Sequence, residues 1–182
     1  MLRAEEAIRI LEEAEEVCTA SEVNAAVARI ALEVTAQLGV RHPLVLVVMS
    51  GAVVFAGQLL SQLPFPLELD YLHVSRYGHD NAGGVLRWLE EPHMDIAGRT
   101  LLVVDDILDE GITLEAIRNH RLEQGAAACY TAVFAEKNLG RKKPIVADFV
   151  GVTLPNRYLF GFGMDVSGAW RNLPAVYAVG RP

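Results

Sequence analysis

Hydrophobic positions recur with two different periods along the chain. Over residues 4–39 they repeat at helical spacing, which predicts an amphipathic helix at 4–18 and a second helix that begins at Thr19 or Ser21 and ends at Gly39. From Pro43 onward, compact apolar runs alternate with helical stretches. These runs predict strands at 44–49, 67–74, 101–104 and 130–135, and helices at 54–63 and 113–124.

The apolar runs lack the polar alternation of a half-exposed strand, so we expect both faces to be buried. Such strands, separated by helices, are typical of the doubly wound α/β class, a mostly parallel, twisted sheet flanked by helices. The tail differs, because its predicted short strands at 149–152, 158–162 and 175–179 are broken by glycine and proline. We therefore predict one domain over residues 1–182, with a core at about 43–138 and a small hood subdomain formed by the N-terminal helices and about 139–182.

Composition narrows the possible partners and the cellular location. Hydrophobic residues make up 52% of the 182 residues, no apolar run is long enough to cross a bilayer, and the acidic start does not resemble a secretory signal. We expect a cytoplasmic protein with no membrane partner. A net charge of −7 without a basic stripe disfavours binding to nucleic acid. The two cysteines, Cys18 and Cys129, lie in apolar segments and are expected to be core residues rather than a disulfide.

The stretch "LLVVDDILDEGITL", residues 101–114, joins a buried strand to a helix through acidic residues. Asp105 and Asp106 follow the apolar run, where paired carboxylates offer acceptors to vicinal hydroxyls, as in a ribose, or to a divalent cation. The next residues, 109–113, lead into the helix, whose first N–H groups and dipole favour a phosphate. Together the two features predict a site for a ribose 5-phosphate.

Three other interpretations share part of this pattern. An isolated pair of aspartates more commonly caps a helix, but here the pair is followed by acid-x-Gly-x-Thr. Receiver domains of response regulators need a phospho-acceptor Asp at a later strand end and then a Lys, whereas Asp148 begins its strand and no Lys follows it. Haloacid-dehalogenase-type phosphatases need Asp-x-Asp, and Asp106 and Asp109 are one residue too far apart.

The stretch resembles the phosphoribosyl-pyrophosphate signature of the type I phosphoribosyltransferases, and residues from about 43 to 172 resemble the hypoxanthine-guanine phosphoribosyltransferases. Further motifs that carry the resemblance are "VVMSGAVVFAGQLL", "VSRYG" with "DNAGG", "FAEKN", "NRYLFGFGMD" and "WRNL". The resemblance also implies that the peptide before Gly51 is cis.

The resemblance assigns a role to individual residues. Asp109 is the expected general base. Asp105 and Asp106 are expected to bind the ribose hydroxyls, and residues Asp109, Glu110, Gly111, Ile112 and Thr113 the 5′-phosphate. The purine is expected to contact Lys137, Tyr158, Leu159 and Asp165, and pyrophosphate is expected to contact Ser50, Gly51 and Arg171. A mobile loop is expected to begin at Arg76, Tyr77 and Gly78. Mg²⁺ is expected to be held by Asp165, Asp105 and Asp106.

The implied activity is transfer of 5-phosphoribosyl from phosphoribosyl pyrophosphate (PRPP) to hypoxanthine or guanine, with Mg²⁺ as cofactor and a homodimer or homotetramer as the assembly. Two alternatives remain open: a preference for xanthine, and a non-catalytic, nucleotide-sensing regulator of the same fold. Lys137 favours a 6-oxopurine over adenine, whose 6-amino group is itself a donor. The chain departs from many relatives at Ser50, where they carry a basic residue, and at Arg76, where a serine is common.

Overall fold

The computed structural model describes residues 2–76 and 86–180. These residues form four α-helices and nine strands. The helices are α1 (Ala4–Glu12), α2 (Ala20–Leu38), α3 (Val53–Leu60) and α4 (Ile112–Glu123). The strands are β1 (Glu15–Cys18), β2 (Leu44–Met49), β3 (Glu68–Arg76), β4 (Leu86–Glu90), β5 (Thr100–Leu108), β6 (Ala128–Asn138), β7 (Phe149–Pro155), β8 (Leu159–Phe160) and β9 (Val176–Ala178).

A six-stranded sheet of order β4-β3-β2-β5-β6-β7 forms the centre of the fold. All neighbouring pairs are parallel except β3 and β4, which are antiparallel at one edge. Helices α2 and α3 contact each other and the sheet, while α4 packs on β5 and β6. The central strands are buried on both faces, as Leu46, Val103 and Phe134 illustrate. The prediction of a doubly wound, mostly parallel α/β fold is confirmed.

A second, three-stranded antiparallel sheet of order β1-β9-β8 joins the two ends of the chain. The indole N–H of Trp170 donates to the Ala7 carbonyl of α1 over 2.7 Å, which ties the N-terminal helix to the tail. Residues 15–18 were expected to continue the first helix, and this expectation is wrong. They pair with β9, where Cys18 reaches the core while Glu15 and Glu16 stay exposed.

The sequence analysis missed one strand of the main sheet and assigned another to the hood. Strand β4 was not predicted, because its alternating exposure leaves Arg87 and Leu89 exposed and only half-buries Trp88. Strand β7 was grouped with the hood but extends the main sheet beside β6, and α2 packs against it. In both cases the local pattern did not show that the strand pairs with the one before it, β3 for β4 and β6 for β7.

The two cysteines are free and buried, as expected. Burial raises the pKa of each thiol to about 11, so neither is a reactive thiolate at neutral pH. Among the described residues, none of the helices combines the length and the apolar character that a bilayer-spanning helix needs.

Candidate active site

A cavity of about 430 Å³, here called the larger cavity, opens at the carboxyl ends of β2 and β5. This is the edge at which ligands gather in open α/β sheets. Most of the residues predicted for the sugar, phosphate, pyrophosphate and metal line it: Ser50, Gly51, Asp105, Asp106, Asp109, Glu110, Gly111, Thr113, Asp165 and Arg171.

A smaller cavity of about 300 Å³ adjoins the larger one. The four residues predicted to contact a purine all line it: Lys137, Tyr158, Leu159 and Asp165. The two cavities share Asp106, Asp109 and Asp165 on their walls. A ligand lying across both would therefore pass these three carboxylates.

The paired carboxylates belong to β5 itself, which runs on to Leu108 and does not end at Val104 as predicted. Asp105 Oδ1 accepts the N–H of Asp106 over 2.9 Å, and Asp106 Oδ1 accepts the N–H of Ile107 over 2.8 Å. One oxygen of each carboxylate is thus held by backbone. The remaining oxygens have lone pairs for a ligand.

Burial shifts the titration of both carboxyls. Loss of hydration and the neighbouring Asp106 charge raise the pKa of Asp105 well above its usual range. Burial also raises the pKa of Asp106, against the opposing hydrogen bond with Asp105 and the positive charge of Arg171. A ligand that donates hydrogen bonds to the pair, or a cation, would favour the ionised forms.

We predict that an Asp105→Asn variant is more heat-stable than the native chain at neutral pH. Since the pKa of Asp105 is raised on folding, the folded state binds its proton more tightly, and the free energy of unfolding falls as pH rises above the unfolded carboxyl pKa of about 4. Asparagine loses no proton. Melting temperatures at pH 5 and pH 8 measure the effect, at roughly 2–4 °C per kcal/mol.

The native melting temperature should fall more steeply between these two pH values than that of the variant. Asp95→Asn, a change at an exposed aspartate outside both cavities, is the control and should follow the native chain. Parallel pH curves for the native chain and Asp105→Asn would contradict the prediction.

The turn before α4 forms a cup in the wall of the larger cavity. Gly111 adopts a left-handed conformation, φ 85°, as the N-cap of α4, and no side chain caps the helix. A left-handed residue favours glycine. The amides of the first turn and the helix dipole then face the larger cavity, which Thr113 also lines, as predicted. Ile112, which was predicted for the same site, is 47% exposed and does not line the larger cavity.

Lys137 and Asp109 meet where the two cavities adjoin. The Lys137 ammonium donates to Asp109 Oδ2 over 2.6 Å. The Lys137 side chain is only 12% exposed, whereas that of Asp109 is 46% exposed. A charged donor and a charged acceptor are thus placed side by side on the wall of the smaller cavity.

The first loop packs tightly against the paired carboxylates. A Cβ atom on Gly51 would lie 2.0 Å from Asp106 Oδ2, and one on Gly163 would lie 2.1 Å from the Gly51 carbonyl oxygen. Both positions therefore require glycine. The cis peptide joins Met49 to Ser50, one bond before the position expected from the resemblance.

Arg171 is held by two other residues of the tail, Gly163 and Asp165. Its guanidinium donates to the Gly163 carbonyl over 2.6 Å and pairs with Asp165 Oδ1 over 2.5 Å. The Gly168 N–H donates to the other Asp165 oxygen over 2.6 Å. The guanidinium and Asp165 both line the larger cavity, so the cation is available to a ligand there only together with its carboxylate partner.

The predicted mobile loop falls largely outside the described residues. Tyr77 and Gly78 lie there, and Arg76 is the last residue of β3. His73 and Met164 are among the cavity residues that sequence reasoning missed. His73 lines the larger cavity from β3, opposite Met49 in register, and Met164 lines the smaller one. The position of His73 at a strand end was the available signal, but only the pairing of β2 with β3 brings it to the site.

The three carboxylates predicted for Mg²⁺ all line the larger cavity. Over residues 2–76 and 86–180, however, no three His, Cys, Asp or Glu side chains form a group that could hold a metal ion by themselves. Mg²⁺ is commonly bound by one or two carboxylates together with phosphate oxygens of the substrate. The residues present fit a metal that arrives with a phosphorylated ligand.

Comparison with known proteins gives one consistent family. The model of the phosphoribosyl transferase domain matches residues 13–167. The hypoxanthine-guanine phosphoribosyltransferase of Aquifex aeolicus is 33% identical over 160 residues, 87% of this chain and 90% of the relative. The hypoxanthine-guanine-xanthine phosphoribosyltransferase of Tritrichomonas foetus is 31% identical over 156 residues, 85% of each chain.

Solved structures agree with the sequence comparison. A solved structure of a hypoxanthine-guanine-xanthine phosphoribosyltransferase superposes with a TM-score of 0.84 at 28% identity, covering 93% of this chain and 99% of that one. The chain belongs to the phosphoribosyltransferase family and has the type I phosphoribosyltransferase fold.

Proposed function

We propose that this protein is a purine-salvage enzyme that transfers 5-phosphoribosyl from PRPP to hypoxanthine or guanine, giving IMP or GMP and pyrophosphate. The contact between the Lys137 ammonium and the Asp109 carboxylate, 2.6 Å apart at the junction of the two cavities, carries the proposal. A 6-oxopurine presents a carbonyl oxygen to the first and an imidazole N–H to the second.

The larger cavity suits the ribose 5-phosphate of PRPP. The oxygens of Asp105 and Asp106 can accept the ribose hydroxyls, and the amides at the start of α4 can bind the 5′-phosphate. The pyrophosphate would then lie toward the first loop and Arg171, where backbone N–H groups and a guanidinium are available. The purine occupies the smaller cavity, with the half-exposed Tyr158 as a stacking surface.

The reaction follows from this placement. The bond between C1′ and the pyrophosphate oxygen breaks, and the electron pair leaves with pyrophosphate. Purine N9 forms the new bond to C1′, and Asp109 accepts the proton from N7. The ribose carries positive charge as the bond breaks, as in glycoside hydrolysis, and Asp105 and Asp106 oppose that charge. Mg²⁺, held by Asp105, Asp106 or Asp165 with substrate oxygens, would neutralise charge on the leaving pyrophosphate.

An assay of the purified chain with PRPP, Mg²⁺ and each purine base in turn tests the proposal. We expect product from hypoxanthine and guanine and none from adenine. Xanthine is a necessary arm, because relatives named for xanthine share the fold. Product from xanthine alone would support the xanthine-preferring alternative. No product from any base would contradict the enzyme and favour the nucleotide-sensing regulator.

We also propose that the partners are small molecules and that the protein is a homodimer or homotetramer. The net charge of −7 supports small-molecule substrates over nucleic acid. The homodimer or homotetramer is a prediction that analytical ultracentrifugation of the purified chain measures directly. The cytoplasmic location likewise stays a prediction from the sequence.

A further inference from the structure

The segment that connects β6 to β7, residues 139–145, contacts both the turn before α4 and the end of β6. We call it the return segment. Arg141 pairs with Glu110 beside the phosphate cup. Ile145 Cγ2 and Pro144 Cδ lie 3.2 and 3.3 Å from the point that a Cβ atom on Gly111 would occupy. The return segment therefore packs directly against the turn that begins α4.

Lys143 is a charged residue of this segment whose side chain is almost fully buried. Its side chain is 6% exposed. The ammonium donates to the Leu108 carbonyl over 2.9 Å, to the Lys137 carbonyl over 2.7 Å and to Glu136 Oε1 over 3.1 Å. All three N–H donors of the ammonium are thus used, two of them on backbone.

The two carbonyls belong to the strands that carry the reacting groups. Leu108 immediately precedes Asp109, and Lys137 is the predicted purine contact itself. Leu108 pairs with Glu136 at the end of the β5–β6 register. Among the described residues, this is the last pair in the ladder between β5 and β6. The Lys143 ammonium bridges the two strands at this point.

We propose that Lys143 is a positioning residue that sets the distance between the Asp109 carboxylate and the Lys137 ammonium. The inference rests on the proposed function. A purine must meet both groups at once, and displacements of about 1 Å in a reacting geometry can cost about 100-fold in rate. Lys143 contacts neither cavity, so its effect would pass entirely through the two strand ends.

The proposal predicts an unequal effect on the two substrates. Lys143→Met removes the ammonium at similar length, and we expect the KM for the purine to rise and kcat to fall, each by about tenfold. The KM for PRPP should stay within about threefold, because the phosphate cup and the paired aspartates keep their own backbone contacts. Simple loss of stability would not produce this split. Lys142→Met, an exposed neighbour, should stay within about twofold of native in every constant.

Lys143→Gln provides the second test, because its amide has two N–H donors for the two carbonyls. We expect it to recover only part of the loss, so that its purine KM lies between the native value and that of Lys143→Met. If Lys143→Met does not fold, the ratio of purine KM to PRPP KM in Lys143→Gln decides, and a ratio raised over native supports the proposal. Equal changes in both KM values, or none, in the folded variants would overturn it. A native enzyme that is inactive with every base would instead contradict the proposed function.

Discussion

Replacing Asp109 with asparagine is expected to lower kcat for nucleotide formation by about 100-fold or more, the usual contribution of a general base. Asparagine keeps the shape of the side chain but cannot accept the purine N7 proton. Asp109 lines both cavities and contacts the Lys137 ammonium. Among the described residues, no other carboxylate makes that contact at the junction. The measurement is the steady-state rate of IMP formation from hypoxanthine with PRPP saturating.

The matched control for this experiment is Asp95→Asn. Asp95 is an exposed aspartate outside both cavities, and asparagine can still accept its hydrogen bond from the Ala97 N–H. We expect its kcat to equal that of the native enzyme. If Asp109→Asn retained kcat within about threefold of native, the proposal that Asp109 accepts the N7 proton would be wrong.

Replacing Lys137 with methionine is expected to raise the KM for hypoxanthine by about 10- to 100-fold. A hydrogen bond to a charged group contributes about 1.5–3 kcal/mol, and the Lys137 side chain is nearly buried on the wall of the smaller cavity. Selectivity against adenine should weaken as well, because the donor that conflicts with its amino group is gone. Kinetics with hypoxanthine and adenine measure both effects.

The control is again the exposed Lys142→Met, which removes the same charge nearby without touching the cavity. The KM for PRPP should change less than the KM for the purine in Lys137→Met. An unchanged hypoxanthine KM, or adenine still rejected as strongly as by the native enzyme, would mean that Lys137 does not contact the 6-oxo group.

The sequence predicts those parts of the fold that depend on local pattern. Runs such as Leu44–Met49 are apolar throughout because both faces of the sheet are covered, and the change of period marks each helix. β1 and β4 could not be predicted this way. Their residues are partly exposed, and each pairs with an edge that the local pattern does not reveal: β1 with β9 from the far end of the chain, and β4 with the preceding strand β3.

The candidate site follows the same division. Residues 105–113 are contiguous, so their carboxylates, turn and helix start could be placed together from the sequence. The closeness of Gly51 to Asp106 and the hydrogen bond from Lys143 to the Leu108 carbonyl depend on contacts between distant segments. The resemblance supplied roles for some of these residues, but Lys143 carries no local signal that sets it apart from surface residues.

The central claim is that Asp105 and Asp106 bind ribose hydroxyls while the amides at the start of α4 bind the 5′-phosphate. A crystal structure of the protein with inosine 5′-monophosphate tests it most directly. We expect the ribose O2′ and O3′ within hydrogen-bonding distance of the two carboxylates, and the phosphate on the amides of residues 110–113. A nucleotide bound with its phosphate away from that turn, or its ribose out of reach of both carboxylates, would contradict the claim.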